Sequence, residues 1–283
     1  MVIDIERYRL TVSNATRWLG ALGAGMDVSY SSGKITPSKG PLTLTNPALR
    51  LHEFALTRNS FLPHHGPLMA LSMKALTYTD VVWDWNGTLL DDAWLCRDIM
   101  NEQLVSRGLP ALSMERYGAI FGFPVKTYYE RAGFDFSSEP FEIPAREFIA
   151  VYEARRHEAA LRDGGVGMLK RLHDAGMRQH LLSAYSHDSL STIVAAHGLT
   201  GFFTTLVGIP DVFAASKLQR GLELAEAIAA PGHSALLIGD TDHDCEVAAE
   251  MGIDCVLVSA GHQSPERLRA CGVPVLQSLE ELL

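Results

Sequence analysis

Short apolar runs alternate with segments of helical period along most of the chain. Each run is four to six residues long and ends at Gly, Ser or Asp, a length too short for a helix and typical of a buried strand. The runs are VVWD (81–84), QHLLS (179–183), TTLVG (204–208), ALLIGD (235–240) and DCVLVS (254–259). Helical patterns lie between most of them, at 166–177, 216–230 and 244–252. This alternation predicts an α/β fold with a doubly wound parallel sheet and right-handed crossovers.

The stretch from 93 to 163 breaks this alternation. Its segments all have a helical pattern, with Gly- and Pro-containing turns between them; they are AWLCRDIMNEQLVSRG, MERYGAIFG, VKTYYERAG and IPAREFIAVYEARRHEAAL. An all-helical insert directly after the first strand indicates a separate cap domain. We therefore expect a core of residues 76–92 and 164–283 and a helical cap of residues 93–163.

Residues 1–75 have a different composition. Ser, Thr, Gly and Pro are frequent over 29–47, which predicts a loop or disorder, whereas 6–25 could form a short amphipathic helix. We expect this extension to lie outside the fold. Three interpretations stay open: an appendage, a targeting segment, and upstream sequence ahead of a start at Met69 or Met73.

Composition and charge narrow the class of protein. The net charge of −9 argues against nucleic acid or an anionic membrane as the main partner. No apolar run reaches the ~20 residues that span a bilayer. The four cysteines have no CxxC spacing, which favours reduced thiols over a zinc site or disulfides. We expect a cytoplasmic protein, as a monomer or homodimer, without nucleic-acid or membrane partners.

Polar side chains follow the predicted strands at their carboxyl ends, where open parallel sheets bind ligands. The strands end at Asp84, at Ser183 and at Asp240, which Asp244 follows, and Lys217 opens a helix. A carboxylate can attack phosphorus, Mg²⁺ prefers carboxylate oxygens, and a hydroxyl and an ammonium can hold phosphoryl oxygens. Each residue alone has an ordinary explanation as a turn, cap or surface residue. The ordered set predicts a magnesium and phosphate site.

That ordered set resembles the haloacid dehalogenase-like (HAD) hydrolase superfamily. The motif hhhDxDGT of that superfamily corresponds to VVWDWNGT, its second motif to HLLS, its third to the Lys217 region, and its fourth, GDxxxD, to GDTDHD. The helical insert matches the C1 cap of the phosphoglycolate phosphatase-like branch. The resemblance covers about residues 76–283 and implies a Rossmann-like core.

The resemblance implies a Mg²⁺-dependent phosphatase, acting on a phosphoric monoester of a small metabolite, with phosphoglycolate as the family default. It implies Asp84 as the nucleophile that carries an aspartyl-phosphate. The implied metal contacts are Asp84, the backbone carbonyl of Asn86, Asp240 and Asp244, which holds metal waters or positions Lys217; the implied phosphoryl ligands are Ser183 and Lys217.

In the cap, Phe123, Lys126 and Arg131 are the expected specificity residues, because aromatic and basic side chains are mixed there. The other interpretation is that the aromatic side chains form the core of the cap. Lys126 is the only lysine of the cap.

Asn86 departs from the family motif. The Asp usually found at this position protonates the leaving oxygen and then activates water, and loss of such catalysis typically costs ~10²–10⁴-fold. We therefore expect Asn86→Asp to accelerate hydrolysis of alkyl phosphates. Two other functions stay open: a catalytically weakened phosphate-binding or interaction protein, and a phosphonate hydrolase that uses Lys126, although the related phosphonate family carries Ala at position 86. Phosphomutase and dehalogenase activities are disfavoured.

Overall fold

The computed structural model describes residues 78–210, 217–230 and 232–282, together with the backbone of three short strands nearer the N-terminus. Those strands are β1 (Ile3–Asp4), β2 (Val28–Ser31) and β3 (Lys34–Pro37), and they form an antiparallel sheet in the order β1-β3-β2. They belong to a compact unit, 1–64, that is distinct from 65–283.

The expectation of a loop over 29–47 is therefore wrong for part of that segment. The reason is local composition, since Tyr30 and Ile35 are good strand formers and lie opposite each other in the pairing of β2 with β3. The amphipathic helix expected at 6–25 lies outside the described residues.

In the second unit, the described residues form eight strands. They are β4 (Asp80–Trp83), β5 (Leu90–Asp91), β6 (Ala160–Leu161), β7 (Arg178–Ser186), β8 (Thr205–Ile209), β9 (Ala235–Gly239), β10 (Asp254–Val258) and β11 (Val275–Leu276). Six of them form a parallel sheet in the order β11-β10-β9-β4-β7-β8. The chain enters the sheet at β4, in the middle, and adds β7 and β8 on one side. It then adds β9, β10 and β11 on the other side. The predicted doubly wound α/β class is confirmed, although β11 was not predicted.

Helices pack on both faces of this sheet and also form the segment between β5 and β6. They are α1 (Ala93–Ser106), α2 (Met114–Ile120), α3 (Val125–Ala132), α4 (Glu142–Arg155), α5 (Gly165–Asp174), α6 (His187–Ala196), α7 (Lys217–Ile228), α8 (Asp242–Met251) and α9 (Pro265–Ala270). The first four lie between β5 and β6, which pair antiparallel and so bring the two ends of the helical segment together. Within the described ranges, no helix has both the length and the apolar character needed to cross a membrane.

The sheet separates two apolar layers. Val81 and Trp83 of β4 pack with α5 and α6, while Val82 packs on the other face with α7 and α8. All residues of β4 are buried. Burial on both faces explains why this strand is a continuous apolar run rather than an alternating one.

A buried ionic cluster closes the amino end of the sheet, at the edge opposite the predicted site. Asp80 is fully buried and accepts hydrogen bonds from His180 Nε2 at 2.9 Å and from Arg178 and Thr79. Burial raises the pKa of Asp80, but these donors, with His233, outweigh burial and lower it to about 2. The cluster ties β4 to β7, because Arg178 and His180 both belong to β7.

We predict that Asp80→Asn lowers the free energy of unfolding by about 2 kcal/mol at neutral pH, because it removes charge-assisted hydrogen bonds. The folded-state pKa lies below the ordinary value of 3.8, so this contribution is complete above about pH 4 and disappears as the pH falls towards 2. Urea unfolding at several pH values measures both effects. Asp174→Asn is the matched control, since the exposed Lys170–Asp174 pair contributes less than about 0.5 kcal/mol. Equal effects of the two substitutions would contradict the assignment.

We also predict that a chain beginning at Met73 unfolds cooperatively, at a temperature close to that of the full chain. Every strand of the parallel sheet lies after Tyr78, and Tyr78 is the first described residue of the two apolar layers. Thermal unfolding followed by circular dichroism tests this. Loss of the cooperative transition would show that earlier residues are needed to complete the core.

Candidate active site

The site lies at the point where the strand order reverses. β4 and β9 are neighbours in the sheet, yet the connections after them leave in opposite directions, and this opens a crevice at their carboxyl ends. Asp84 directly follows β4 and Asp240 directly follows β9. The Asp84 backbone N–H donates to the Ile238 carbonyl at 2.9 Å, so the two strand ends stay in register up to the carboxylates.

Lys217 joins two of the predicted site residues. Its ammonium, at the start of α7, donates to Asp84 Oδ1 at 2.5 Å and also to Asp244 Oδ1. All three side chains are buried. One ligand atom from each of Asp84, Asp240 and Asp244 fits within 4.8 Å of the others. The structure thus gathers four of the predicted residues into one carboxylate–lysine cluster.

Backbone groups hold Asp244 in place. Its Oδ2 accepts hydrogen bonds from the N–H groups of Asp240 and Thr241, at 3.1 and 3.0 Å, and from the Thr241 hydroxyl at 2.7 Å. Thr241 in turn caps α8 through the Asp244 N–H, so the two residues form a capping box. The motif GDTDHD therefore starts a helix and fixes a carboxylate at the same time.

Asp240 requires a close approach of two backbone segments. Its Oδ1 accepts from the Thr88 hydroxyl at 3.1 Å, and its Oδ2 accepts from the His262 N–H at 2.6 Å. A Cβ on Gly87 or on Gly261 would overlap Asp240. Gly87 also has a φ of 75°. Glycine is needed at position 87 for both reasons.

The pKa shifts of the four clustered side chains reflect an excess of buried negative charge. Burial raises the pKa of Asp84 well above its ordinary value; Lys217 lowers it, whereas Asp244 and Asp240 raise it further. Burial also raises the pKa of Asp240. Burial raises the pKa of Asp244, but the attraction of Lys217 outweighs burial and lowers it. Burial lowers the pKa of Lys217, but Asp244 and Asp84 outweigh burial and raise it. Three carboxylates face one ammonium, which is a suitable environment for a divalent cation.

Ser183 lies at the same edge, but among the described residues it makes no hydrogen bond to the cluster. β7 was predicted to end at Ser183 and in fact runs to Ser186, with an irregular register after Leu182. Ser183 is buried, and its Oγ accepts from the Tyr185 N–H at 3.1 Å. Leu181 pairs with Trp83, so Ser183 stands beside the end of β4.

The turn after Asp84 is pinned from both sides. The Trp85 carbonyl accepts the N–H groups of Thr88, Leu89 and Leu90 at 2.9–3.3 Å. Arg162, which follows β6, donates to the Gly87 carbonyl at 2.7 Å and to the Thr88 carbonyl at 3.0 Å. The segment that returns from the helices therefore stabilises the loop that carries the first motif.

Asn86 joins this turn to the helical segment. Its Nδ2 donates to Asp92 Oδ2 at 2.7 Å and to the Tyr152 hydroxyl of α4 at 2.6 Å. Tyr152 donates to the same Asp92 oxygen at 2.7 Å, and the Gly87 N–H donates to Asp92 Oδ1 at 2.8 Å. Asp92 is fully buried. Position 86 thus acts as a hydrogen-bond donor beside a buried carboxylate.

His262 completes the surroundings of Asp92. Its Nε2 lies 3.4 Å from Asp92 Oδ1, its Nδ1 lies 2.8 Å from the Tyr117 hydroxyl of α2, and its ring stacks on Phe121. Burial lowers the pKa of His262, but Asp92 outweighs burial and raises it to about 9. The pKa of Asp92 is lowered: burial raises it, whereas His262, Asn86 and Tyr152 lower it by more.

The three expected specificity residues are placed differently. Phe123 is 40% exposed and its ring centroid lies 4.8 Å from that of His243 in α8, so it stands beside the fourth motif. The Lys126 ammonium lies 5.6 Å from the centroid of the Phe136 ring, within the helical segment. Arg131 is exposed in the last turn of α3. The contacts of the described residues bring neither Lys126 nor Arg131 to the carboxylate–lysine cluster.

Comparison with known proteins identifies the family of the chain. Residues 81–258 match the family described as haloacid dehalogenase-like hydrolase. The chain belongs to that family. The matched range contains all four HAD motifs, and the predictions of HAD membership and of a hydrolase of the phosphatase type are confirmed.

Relatives place the chain near one branch of the HAD family. The phosphoglycolate phosphatase of Caulobacter vibrioides is 30% identical over 199 residues, which cover 68% of this chain and 83% of that protein. The phosphoglycolate phosphatase of Rhodobacter capsulatus is 23% identical and covers 65% of this chain and 85% of that protein. A solved structure from Clostridium acetobutylicum, described as a predicted phosphatase, has a TM-score of 0.62 at 22% identity, covering 72% of this chain and 96% of that one. The last similarity supports the HAD fold alone.

Several residues around the site were not found by sequence reasoning. They are Thr88, Asp92, Tyr117, Tyr152, Arg162 and His262. Thr88 belongs to the quoted first motif and could have been included. The others lie outside the motifs, and their positions depend on how the helical segment packs, for which the sequence carries no local signal.

We predict that Gly87→Ala abolishes activity and lowers stability by more than the ~1–2 kcal/mol expected from left-handed backbone strain, because a Cβ would displace Asp240. Gly108→Ala is the matched control, since Gly108 has a φ of 70° with open space around it. Thermal unfolding and steady-state kinetics measure both variants. If Gly87→Ala behaved like Gly108→Ala, the close approach to Asp240 would be unimportant.

Proposed function

We propose that the chain is a Mg²⁺-dependent phosphatase that hydrolyses a small phosphorylated metabolite through an aspartyl-phosphate on Asp84. The observation that carries this proposal is the buried cluster of Asp84, Asp240, Asp244 and Lys217 at the strand-order reversal. Isolated surface carboxylates are common. Three buried ones around a single ammonium need a further positive charge.

The donor set suits Mg²⁺, which takes carboxylate and carbonyl oxygens and keeps water and substrate oxygens as its other ligands. Asp84, Asp240 and the Asn86 backbone carbonyl would hold the ion. Asp244 would act mainly on Lys217, with which it is already paired. When bound, Mg²⁺ would neutralise charge between Asp84 and the phosphoryl oxygens.

The chemistry assigned to Asp84 has two steps. In the first, a carboxylate oxygen attacks phosphorus, a new O–P bond forms, and the bond from phosphorus to the leaving oxygen breaks. The leaving oxygen takes up a proton from solvent. In the second, water attacks the same phosphorus, the Asp84–phosphorus bond breaks, and the carboxylate and phosphate are released. Lys217 stays charged through both steps, because its pKa is raised by two carboxylates, and with Ser183 it would bind the phosphoryl oxygens.

We propose that α1–α4 form a cap that selects the leaving group and limits access of water. Support comes from two contacts of this segment. Tyr152 of α4 contacts Asn86 of the first motif, and Tyr117 of α2 contacts His262, whose N–H donates to Asp240. Phe123 is the specificity residue with structural support, through its contact with His243. Lys126 and Arg131 remain candidates from sequence, and Lys126 packs on Phe136, so no observation favours the phosphonate alternative.

The two phosphoglycolate phosphatase relatives make a small phosphorylated carboxylic acid the first substrate class to test. A panel of phosphorylated metabolites, with phosphoglycolate included, should be assayed for phosphate release by the wild type and by Asp84→Asn as the blank. A phosphate-binding protein without activity would release none from any member, and that result would overturn the proposed function.

We predict that EDTA abolishes phosphate release and that added Mg²⁺ restores it. Asp240→Asn should raise the Mg²⁺ concentration needed for half-maximal rate by at least about ten-fold, because it removes one charged ligand from the buried cluster. Asp254→Asn is the matched control, since Asp254 lies at the opposite, amino end of the neighbouring strand β10. Full activity in metal-free buffer would exclude the metal assignment.

A further inference from the structure

A second group of metal-ligating side chains lies outside the carboxylate–lysine cluster. It consists of the Asp92 carboxylate, the Cys96 thiol and a ring nitrogen of His262, and we call it the Asp–Cys–His group. One ligand atom from each residue lies within 4.8 Å of the others, and all three residues are buried. None of the three belongs to the four HAD motifs, so the proposed reaction does not explain why they meet.

The separations within this group fit a single tetrahedral metal ion. His262 Nε2 lies 3.4 Å from Asp92 Oδ1, and Cys96 Sγ lies 3.7 Å from Asp92 Oδ2. Zinc bonds of ~2.0–2.3 Å place nitrogen and oxygen ligands about 3.3 Å apart, and sulfur and oxygen ligands about 3.5 Å apart. The carboxylate faces the nitrogen and the sulfur with different oxygens, so it can bind an ion between them with either oxygen or with both.

The chemistry of the ligand atoms determines which cation fits. Sulfur, imidazole nitrogen and carboxylate oxygen together are a set that Zn²⁺ binds, whereas Mg²⁺ takes oxygen ligands. The carboxylate–lysine cluster offers only carboxylate oxygens from its three acidic side chains. The two groups share no ligand, and they select different cations.

The ligands are held in place by further hydrogen bonds. His262 Nδ1 lies 2.8 Å from the Tyr117 hydroxyl, which orients the ring so that Nε2 faces Asp92. Asp92 accepts hydrogen bonds from the Gly87 N–H at 2.8 Å and from the Tyr152 hydroxyl at 2.7 Å. Such outer partners of the histidine and the carboxylate accompany metal sites in proteins, because they fix the ring and raise ligand basicity.

Helix geometry fixes the remaining ligand. Cys96 lies one turn after Asp92, and its N–H donates to the Asp92 carbonyl at 2.9 Å at the start of α1. Residues four apart face the same side of a helix. The thiol and the carboxylate therefore point together towards His262.

We propose that Asp92, Cys96 and His262 form a second metal site that binds Zn²⁺, separate from the proposed Mg²⁺ site and independent of the proposed function. The ion replaces the thiol proton of Cys96 and the proton on His262 Nε2, and both protons go to solvent. His262 keeps the proton on Nδ1 and donates it to the Tyr117 oxygen. One divalent cation replaces two protons, so the net charge of the buried group does not change.

The site joins the helical segment to the core. Asp92 and Cys96 lie at the start of α1, whereas His262 follows β10 and its N–H donates to Asp240 at 2.6 Å. An ion bound by all three cross-links α1 to the loop that supports Asp240. Because the ion binds only the folded arrangement, it stabilises the protein against unfolding.

The expectation against a zinc site was drawn from spacing along the chain. It excludes sites built on CxxC pairs, but it does not cover ligands that packing brings together from distant segments. Cys96 and His262 lie in different parts of the chain, and the fold places both beside Asp92.

Cobalt(II) is the probe for this site, because thiolate-bound Co²⁺ shows a sulfur-to-metal charge-transfer band that oxygen-bound Co²⁺ lacks. The full chain is titrated with Co²⁺ at saturating Mg²⁺, so that the oxygen-only cluster is occupied. We expect the band to reach its maximum at about one equivalent of Co²⁺ per chain, and excess Zn²⁺ to remove it. Absence of the band from folded wild type would overturn the proposal.

Substitution of single thiols locates the ion. Cys96→Ser should abolish the band, and Zn²⁺ should then no longer raise the unfolding temperature. Cys255→Ser is the matched control, since Cys255 is 9% exposed and Cys96 is 8% exposed, and it should keep both effects. A band that persists in Cys96→Ser and disappears in Cys255→Ser would place the metal on other thiols and refute the site.

Tyr117→Phe tests the site without changing a ligand. It removes the partner of His262 Nδ1, so it should weaken Co²⁺ binding at least about ten-fold while the band still forms at higher Co²⁺. Tyr128→Phe is its control, because the buried Tyr128 hydroxyl has no hydrogen-bond partner and its loss should leave the Co²⁺ affinity unchanged. Equal affinities of the two variants would show that the histidine is not a ligand.

These readouts do not depend on phosphate release. A protein without phosphatase activity that still shows the band would refute the proposed function and keep the zinc site. An active phosphatase without the band would do the reverse.

Discussion

The ionic contact of Lys217 with Asp84 and Asp244 is the interaction on which the site depends. Three carboxylates are buried around one ammonium, and without Lys217 neither Asp84 nor Asp244 would have an ion-pair partner among the described residues. Removing one member of such a group typically costs several kcal/mol. Three local elements bring these charges together: Asp84 follows β4, Lys217 starts α7, and Asp244 belongs to the capping box of α8.

Close backbone approach is the second constraint, and it explains the glycines of the motifs better than flexibility does. Gly87 and Gly261 lie against Asp240, and Gly239 lies against Asp244. The carboxylates need backbone N–H donors in place of water, and those donors reach them only where no Cβ intervenes. The same packing that desolvates Asp240 and Asp244 therefore supplies their backbone hydrogen-bond donors.

Much of the core and of its charged cluster is predictable from sequence, since both follow from local signals. Apolar runs that end at Asp84 and Asp240 predict strands, and the carboxyl ends of parallel strands meet at one edge. Asp92, Tyr152 and His262 are different, because their contacts depend on how α1–α4 pack. Asp92 and Tyr152 contact Asn86 of the first motif across 6 and 66 residues of chain, and His262 contacts Tyr117 of α2 across 145 residues. The extension of β7 beyond Ser183 also escaped prediction, since its last residues, Tyr185 and Ser186, are half-buried and no longer form an apolar run.

Asn86 shows how such a distant contact changes the meaning of a motif. In the motif VVWDWNGT, Asn86 stands where the family has Asp, and the motif alone therefore predicts weakened acid–base catalysis. Beside Asp92 it is the donor of a matched pair, and the carboxylate of that pair lies six residues later in the chain. Donor and acceptor are complementary, so neither residue can change alone without opposing like groups in a buried place. A departure from a family motif should therefore be judged together with the residue that faces it, and here that residue makes an amide at position 86 the consistent choice.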